Sequence, residues 1–276
     1  MPSRRLSRRE VLALAASAAV AGDARPLAAT PRRRPVRRPV HFVFVHGAWH
    51  GAWCWYRITT ALEAAGHRAT ALDLPSAGID GTPPGEVTLQ TQADRVVAFL
   101  DTLSEPVVLV GHSAGGPVVS TAAEMRPQAI VKLVYVTSYL LPDGASIATV
   151  SLGDTDSHLT PYLVLNPDGT VSIAPEGRRD VFYGDCADRD VTLAQSLLKP
   201  IGVRATLDAV HVGAAFESVR RFYVTCTRDH AISPSVQRSM VERLPCERVF
   251  AIASDHSPFL SHPRELLRVL AAVARA

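Results

Sequence analysis

Residues 107–116 read Val-Val-Leu-Val-Gly-His-Ser-Ala-Gly-Gly, and this stretch decides the fold. Four apolar residues, Val107–Val110, have the makings of a buried strand. They run into Gly111-His112-Ser113-Ala114-Gly115, a G-x-S-x-G turn, and helical spacing follows through Met125. A serine hydroxyl becomes a useful nucleophile only when it is held outward beside a base. A sharp strand-to-helix turn does this by forcing the serine into a strained backbone conformation. The flanking glycines are needed because side chains at 111 and 115 would collide across so tight a turn. Pro117 falls in the first helical turn, where a missing N–H is harmless.

Outward from the elbow, apolar runs alternate with helical stretches. Val40–Val45 and Arg68–Leu72 read as strands before it, with a helix over Ile58–Gly66 between them. Thr88–Leu103 reads as a helix with Thr88 as N-cap. Ile130–Val136, Arg221–Cys226 and Arg248–Ile252 read as strands after it, and Pro263–Ala274 as a closing amphipathic helix. Near-continuous Val/Ile/Leu strands separated by helices predict a mostly parallel sheet covered on both faces. The rhythm breaks over residues 139–210, which carry turn signals and a helical piece near Asp190–Leu198. An excursion of about 70 residues is too long for an ordinary loop. It is expected to be a helical cap over the edge of the sheet where open α/β sheets place ligands.

A base and an acid complete the chemistry. His256 lies just after strand 248–252 and Asp229 just after strand 221–226. His256 is expected to take the Ser113 proton, and Asp229 to fix the imidazole tautomer. Asp255 and His230 adjoin these residues and point elsewhere, Asp255 as a loop-structuring acid. His112 is expected to pack beneath the elbow, His46 to organise the loop after the first strand, and Asp73 to cap a turn. Oxyanion donors are expected from the backbone N–H of Ala114, at a helix N-terminus, and of Ala48. Tyr139, Leu140, Phe182 and Phe259 flank the expected pocket. Of Trp49, Trp53 and Trp55, packing beneath the loop is the commoner role.

The chain has 276 residues, 47% hydrophobic and 20% charged, which excludes a disordered chain. Residues 1–39 hold ten arginines against Glu10 and Asp23, a net of +8, so with a total of +3 the remainder carries −5. No basic stripe interleaved with aromatics follows, so nucleic acid is not an expected partner. Ser7-Arg8-Arg9-Glu10-Val11-Leu12, the apolar run Val11–Ala21 and a small-residue exit at Ala19-Val20-Ala21, with Leu27-Ala28-Ala29 as a second, weaker one, have the form of a signal for the twin-arginine export machinery. The expected organisation is a signal peptide over 1–29, an Arg/Pro-rich spacer over 30–39 and one catalytic domain over 40–276. Export to the periplasm or the medium follows, with no stable membrane insertion. The cysteines (54, 186, 226, 246) show no C-x-x-C and no metal-ligand spacing, and buried free thiols are the expected state.

The stretches HFVFVHGAWHGAWCWYR (41–57), GHSAGG (111–116), YVTCTRDHAISPSVQ (223–237) and ASDHSPFLSHPREL (253–266) together resemble the plant methylesterase and hydroxynitrile lyase branch of the α/β-hydrolases and its bacterial esterase relatives. The resemblance runs from residue 41 to the end and is looser in the cap, where Phe182-Tyr183-Gly184-Asp185-Cys186 is similar to a segment of bacterial members. It implies an α/β-hydrolase fold and the chain order Ser113, Asp229, His256, with Ala48 and Ala114 as oxyanion donors. It also implies a small-molecule ester as substrate, with no cofactor and no metal in the reaction. The lyases carry a threonine where this chain has Gly47, and a lysine after the histidine where it has Ser257. Its two lysines, Lys132 and Lys199, lie elsewhere, so a serine esterase of small apolar esters is expected over a lyase. A small-molecule-binding protein with a vestigial triad is the remaining alternative.

Overall fold

The computed structural model describes residues 39–276; the expected signal peptide and most of the spacer lie outside the described residues. A six-stranded sheet runs β2-β1-β3-β4-β8-β9, with β1 His41–Val45, β2 Arg68–Leu72, β3 Val107–Ser113, β4 Ile130–Ser138, β8 Arg220–Cys226 and β9 Arg248–Ile252. Every pairing in it is parallel. The chain passes from β1 outward to β2 and then crosses back to β3 on the other flank. The β1/β3 boundary is therefore the topological switch point, where a crevice opens beyond the strand ends.

Side-chain alternation explains the unbroken apolar runs. Phe42, Phe44, Val108, Val110, Val134 and Val136 face one buried layer, which includes Trp55, Ile58 and the C-terminal helix Pro263–Arg275 through Leu266, Leu270 and Val273. Val43, Val45, Leu109, Leu133 and Tyr135 face the other, under helices Leu89–Leu100 and Gly115–Met125. Both faces are dry, so neither can alternate with polar residues. Thr88 caps its helix as expected, its side chain accepting from the Thr91 N–H in a capping box. No helix among the described residues is long and apolar enough to cross a membrane.

The segment between β4 and β8 differs from the all-helical expectation. It contains a small antiparallel sheet, β5 Leu163–Leu165, β6 Thr170–Ile173 and β7 Ile201–Gly202, in the order β5-β6-β7, beside short helices such as Pro175–Phe182 and Asp188–Leu197. The cause is the turn Asn166-Pro167-Asp168-Gly169. Gly169 takes φ +80°, the Asp168 carboxylate accepts from the Thr170 N–H at 3.0 Å, and the flanking β-branched residues pair as a hairpin. All four cysteines are unpaired, three of them buried.

Candidate active site

Ser113 ends β3 with φ +52°, a left-handed conformation that costs a residue with a Cβ on the order of 1 kcal/mol or more. Glycine is required on both sides. A Cβ at Gly111 would sit 2.9 Å from the Gly115 carbonyl oxygen, and one at Gly115 would sit 2.7 Å from that of His46. Neighbours over-determine the turn. The Ser113 carbonyl accepts from the Ser138 hydroxyl at 2.7 Å and from the Tyr139 N–H at 3.1 Å.

Asp229 and His256 come together as the chain order implies. The His256 Nδ1–H donates to Asp229 Oδ2 at 2.7 Å, with both side chains excluded from solvent. Since that nitrogen faces a carboxylate, Nε2 is the atom left to accept a proton. The carboxylate is saturated with donors. The N–H groups of Ala231 and Ile232 donate to Oδ1 at 2.7 and 3.0 Å, and Gln237 Nε2 lies 3.4 Å from Oδ2. The Thr137 hydroxyl also donates to Oδ2. Thr137 holds φ +38° at the end of β4, a strained setting for a β-branched residue. Sequence reasoning missed Thr137 and Gln237; their only signals were a threonine closing an apolar strand and a glutamine one helical turn in.

The histidines around this pair hold the framework together. His112 donates Nε2–H to the His256 carbonyl at 2.9 Å, its ring 4.6 Å from that of His256, and burial holds its pKa well below the usual imidazole value. His46 accepts the Leu74 N–H on Nε2 at 3.2 Å and donates from Nδ1 to the Gly47 carbonyl at 2.8 Å. Pinning that carbonyl aims the trans N–H of Ala48 the opposite way. His50, not anticipated, donates Nδ1–H to the Ala48 carbonyl at 2.9 Å and accepts from the Tyr183 hydroxyl at 2.8 Å. Burial lowers its pKa to about 3, so it stays neutral. Trp49, between these groups, holds φ +63° and donates its indole N–H to the Val171 carbonyl of the cap at 2.9 Å. Gly47 is tightly enclosed: a Cβ there would lie 2.5 Å from Ser113 Cβ and 3.1 Å from its Oγ.

A second network docks the cap. Asp255 accepts from the Asp185 N–H at 3.0 Å and the Ser261 hydroxyl at 2.7 Å, while its own N–H donates to Asp185 Oδ2 at 2.8 Å. It is a loop-structuring acid, and burial raises its pKa. Asp73 accepts the Ala52 N–H at 2.6 Å, joining the loops after β1 and β2.

Ser113 opens into a cavity of about 340 Å³ that Ala48 and Ala114 also line. Its walls are apolar: Tyr139, Ile147, Leu159, Leu163, Val171 and Phe182, with Ala231 and Ile232 on the acid loop. Two of the expected contact residues are corrected. Leu140 is absent from this lining and fully buried in the layer with Met240, because the residue after Tyr139 turns to the other side of the extended chain. Phe259 is also fully buried, edge-on to His112 at 4.9 Å and against Trp55 at 5.0 Å; it supports the elbow from below. Of the three tryptophans only Trp49 reaches the cavity.

A parallel sheet with a strained serine elbow at its switch point, a buried acid–histidine pair and a cap defines a class, and comparison with known proteins agrees. Residues 42–269 match the model described as "Alpha/beta hydrolase family"; the chain belongs to this family, in the branch of the plant methylesterases. It is similar to methyl jasmonate esterase 1 of Vitis vinifera, with 35% identity over 251 residues covering 85% of this chain and 96% of that one. It is also similar to pheophorbidase of Raphanus sativus, with 37% identity covering 84% and 92%. A putative chloroplastic methylesterase of Arabidopsis thaliana is 34% identical, and the chain spans 56% of its length. Among solved structures, an Arabidopsis methylesterase superposes with TM-score 0.74 at 33% identity, covering 86% of this chain and 100% of that one.

Proposed function

We propose that the chain is a serine hydrolase that cleaves small apolar carboxylic esters through an acyl-enzyme intermediate. It is a carboxylic ester hydrolase, in keeping with relatives named as methylesterases and a pheophorbidase. The observation that carries the finer reading is the convergence of Ser113 and the Ala48 and Ala114 backbone in one apolar cavity, together with the buried Asp229–His256 pair, whose imidazole lies 5.7 Å from the ring of Phe182 in the cavity wall.

The chemistry proceeds in two displacements. His256 Nε2 takes the Ser113 proton as Oγ attacks the ester carbonyl, and the oxyanion accepts from the N–H groups of Ala48 and Ala114. The imidazolium, stabilised by Asp229, returns the proton to the departing alcohol. Water then repeats the sequence on the acyl-serine, releasing the acid and restoring the hydroxyl. The fixed tautomer of His46 and the neutral His50 hold both sides of the Ala48 peptide, so the oxyanion donors are set before charge develops. Gly47 and Ser257 favour this route over cyanohydrin cleavage, because the threonine and the lysine that mark the lyases are absent from these two positions. Turnover of p-nitrophenyl butyrate by the wild type, abolished in Ser113→Ala, tests the reading; equal slow rates would refute it. We also propose export by the twin-arginine route, tested by loss of a shortened exported form in an Arg8→Lys/Arg9→Lys variant.

A further inference from the structure

Outside the catalytic arrangement, three chemically distinctive side chains from distant stretches meet at one place. His158 belongs to the cap loop before β5, Asp180 to the cap helix Pro175–Phe182, and His230 to the acid loop immediately after Asp229. His158 Nδ1 lies 2.7 Å from Asp180 Oδ2, and His230 Nδ1 lies 2.9 Å from Asp180 Oδ1. The two rings are 4.2 Å apart and inclined by 37°, and one donor atom from each residue falls within 4.8 Å of the others. All three side chains are roughly half exposed, at 43–47%. The backbone fixes the arrangement, since the His158 N–H donates to the His230 carbonyl at 2.8 Å and the Ser157 hydroxyl to that of Ala231 at 2.8 Å.

We propose that His158, Asp180 and His230 form a binding site for a divalent first-row transition metal of the zinc type, which clamps the cap to the loop bearing the catalytic acid. Two imidazoles and one carboxylate are a nitrogen-rich donor set suited to Zn²⁺ rather than to Mg²⁺ or Ca²⁺, which prefer oxygen throughout. Bonds of about 2.0–2.1 Å in a tetrahedral shell place neighbouring donors roughly 3.3 Å apart. The two histidine–carboxylate separations therefore need to open by only about half an ångström. The two imidazole donors, now within 4.8 Å of each other, settle to the same spacing by rotation of half-exposed rings, and the outer side leaves a fourth position for water. Each neutral ring now donates Nδ1–H to the carboxylate. On coordination through Nδ1 that proton moves through solvent to Nε2 of the same ring, so the charge of each imidazole is unchanged. The ion replaces two hydrogen bonds with three metal–ligand bonds across the cap–core boundary. Leu159 and Phe182, one and two residues beyond the ligands, line the ester cavity, as does Ala231, so occupancy stiffens that wall. Cysteine spacing gives no sign of such a site, because its ligands lie 22 and 50 residues apart in the chain.

The test uses the full chain after chelator treatment, titrated with Zn²⁺ by calorimetry and with Co²⁺ by visible absorption. The expected result is one equivalent bound, a four-coordinate Co²⁺ spectrum and a raised thermal midpoint, all retained in Ser113→Ala. In folded Asp180→Asn and His158→Gln, affinity falls by more than about 100-fold, beyond the loss from an outer-shell partner alone. Absence of saturable uptake in the wild type overturns the proposal and leaves a hydrogen-bonded latch. Uptake that survives in both variants overturns it equally, by placing the ion elsewhere.

Discussion

The rim of the sheet and the cap above it are built on opposite principles. At the rim, four residues with a Cβ (Trp49, Ser76, Ser113 and Thr137) hold positive φ, and the Asp229 carboxylate and the His46, His50 and His256 rings near them are buried and hydrogen-bonded. In the cap, the elements are short, the sheet has three strands of four residues or fewer, and large apolar side chains such as Leu152 and Leu207 remain 84% and 60% exposed. Strain persists only where surroundings over-determine it, so the rim tolerates almost no change. The cap contributes cavity wall and tolerates a great deal. On the proposed function, reactivity is assigned to the first region and substrate choice to the second.

The two regions should separate sharply under mutation. Ser113→Ala should lower kcat by about 10⁴–10⁶-fold with little change in stability, measured as ester turnover beside thermal unfolding. Asp229→Asn, which keeps the shape but permits the wrong imidazole tautomer, should cost about 10⁴-fold. Gly47→Ala places a methyl group against Ser113 and the Ala48 peptide; the expected loss is about 10²–10³-fold, that of one oxyanion donor.

The rim should also be the acid-sensitive region. His50 has its pKa lowered by burial to about 3 from an ordinary value of 6.5, so the unfolded chain binds the proton more readily. The stabilisation is complete above about pH 6.5 and is lost as pH falls toward 3. By pH 5 the loss should amount to about 2 kcal/mol, seen as a lower urea midpoint that His50→Gln renders less pH-dependent. Smallest of all, Leu159→Ala should shift preference among acyl-chain lengths by about tenfold, leaving the rate with the shortest ester nearly intact. A cap substitution that abolished turnover of every ester would erase the distinction.

Legibility in the sequence follows the same division. The six sheet strands and the elbow were readable because a strand buried on both faces shows as an unbroken apolar run, and because Gly111 and Gly115 have a steric reason to be glycine. The pairing of Asp229 with His256 was readable from strand-end placement. Thr137 was not, since its bond to Asp229 depends on a positive φ that no local pattern announces. Leu140 and Phe259 were misplaced because closeness in the chain to a pocket says nothing of side-chain direction: Tyr139 turns into the cavity and Leu140 away from it. The cap hairpin was half visible, as the turn at 166–169 without the short strands on either side.

The proposed chemistry stands or falls on activation of the Ser113 hydroxyl by His256. Reaction of the full chain with a fluorophosphonate probe, followed by peptide mapping, addresses it most directly. One adduct is expected, on Ser113, formed at least 10²-fold more slowly in His256→Ala. An adduct on another residue, or labelling of Ser113 at an undiminished rate in that variant, would contradict it.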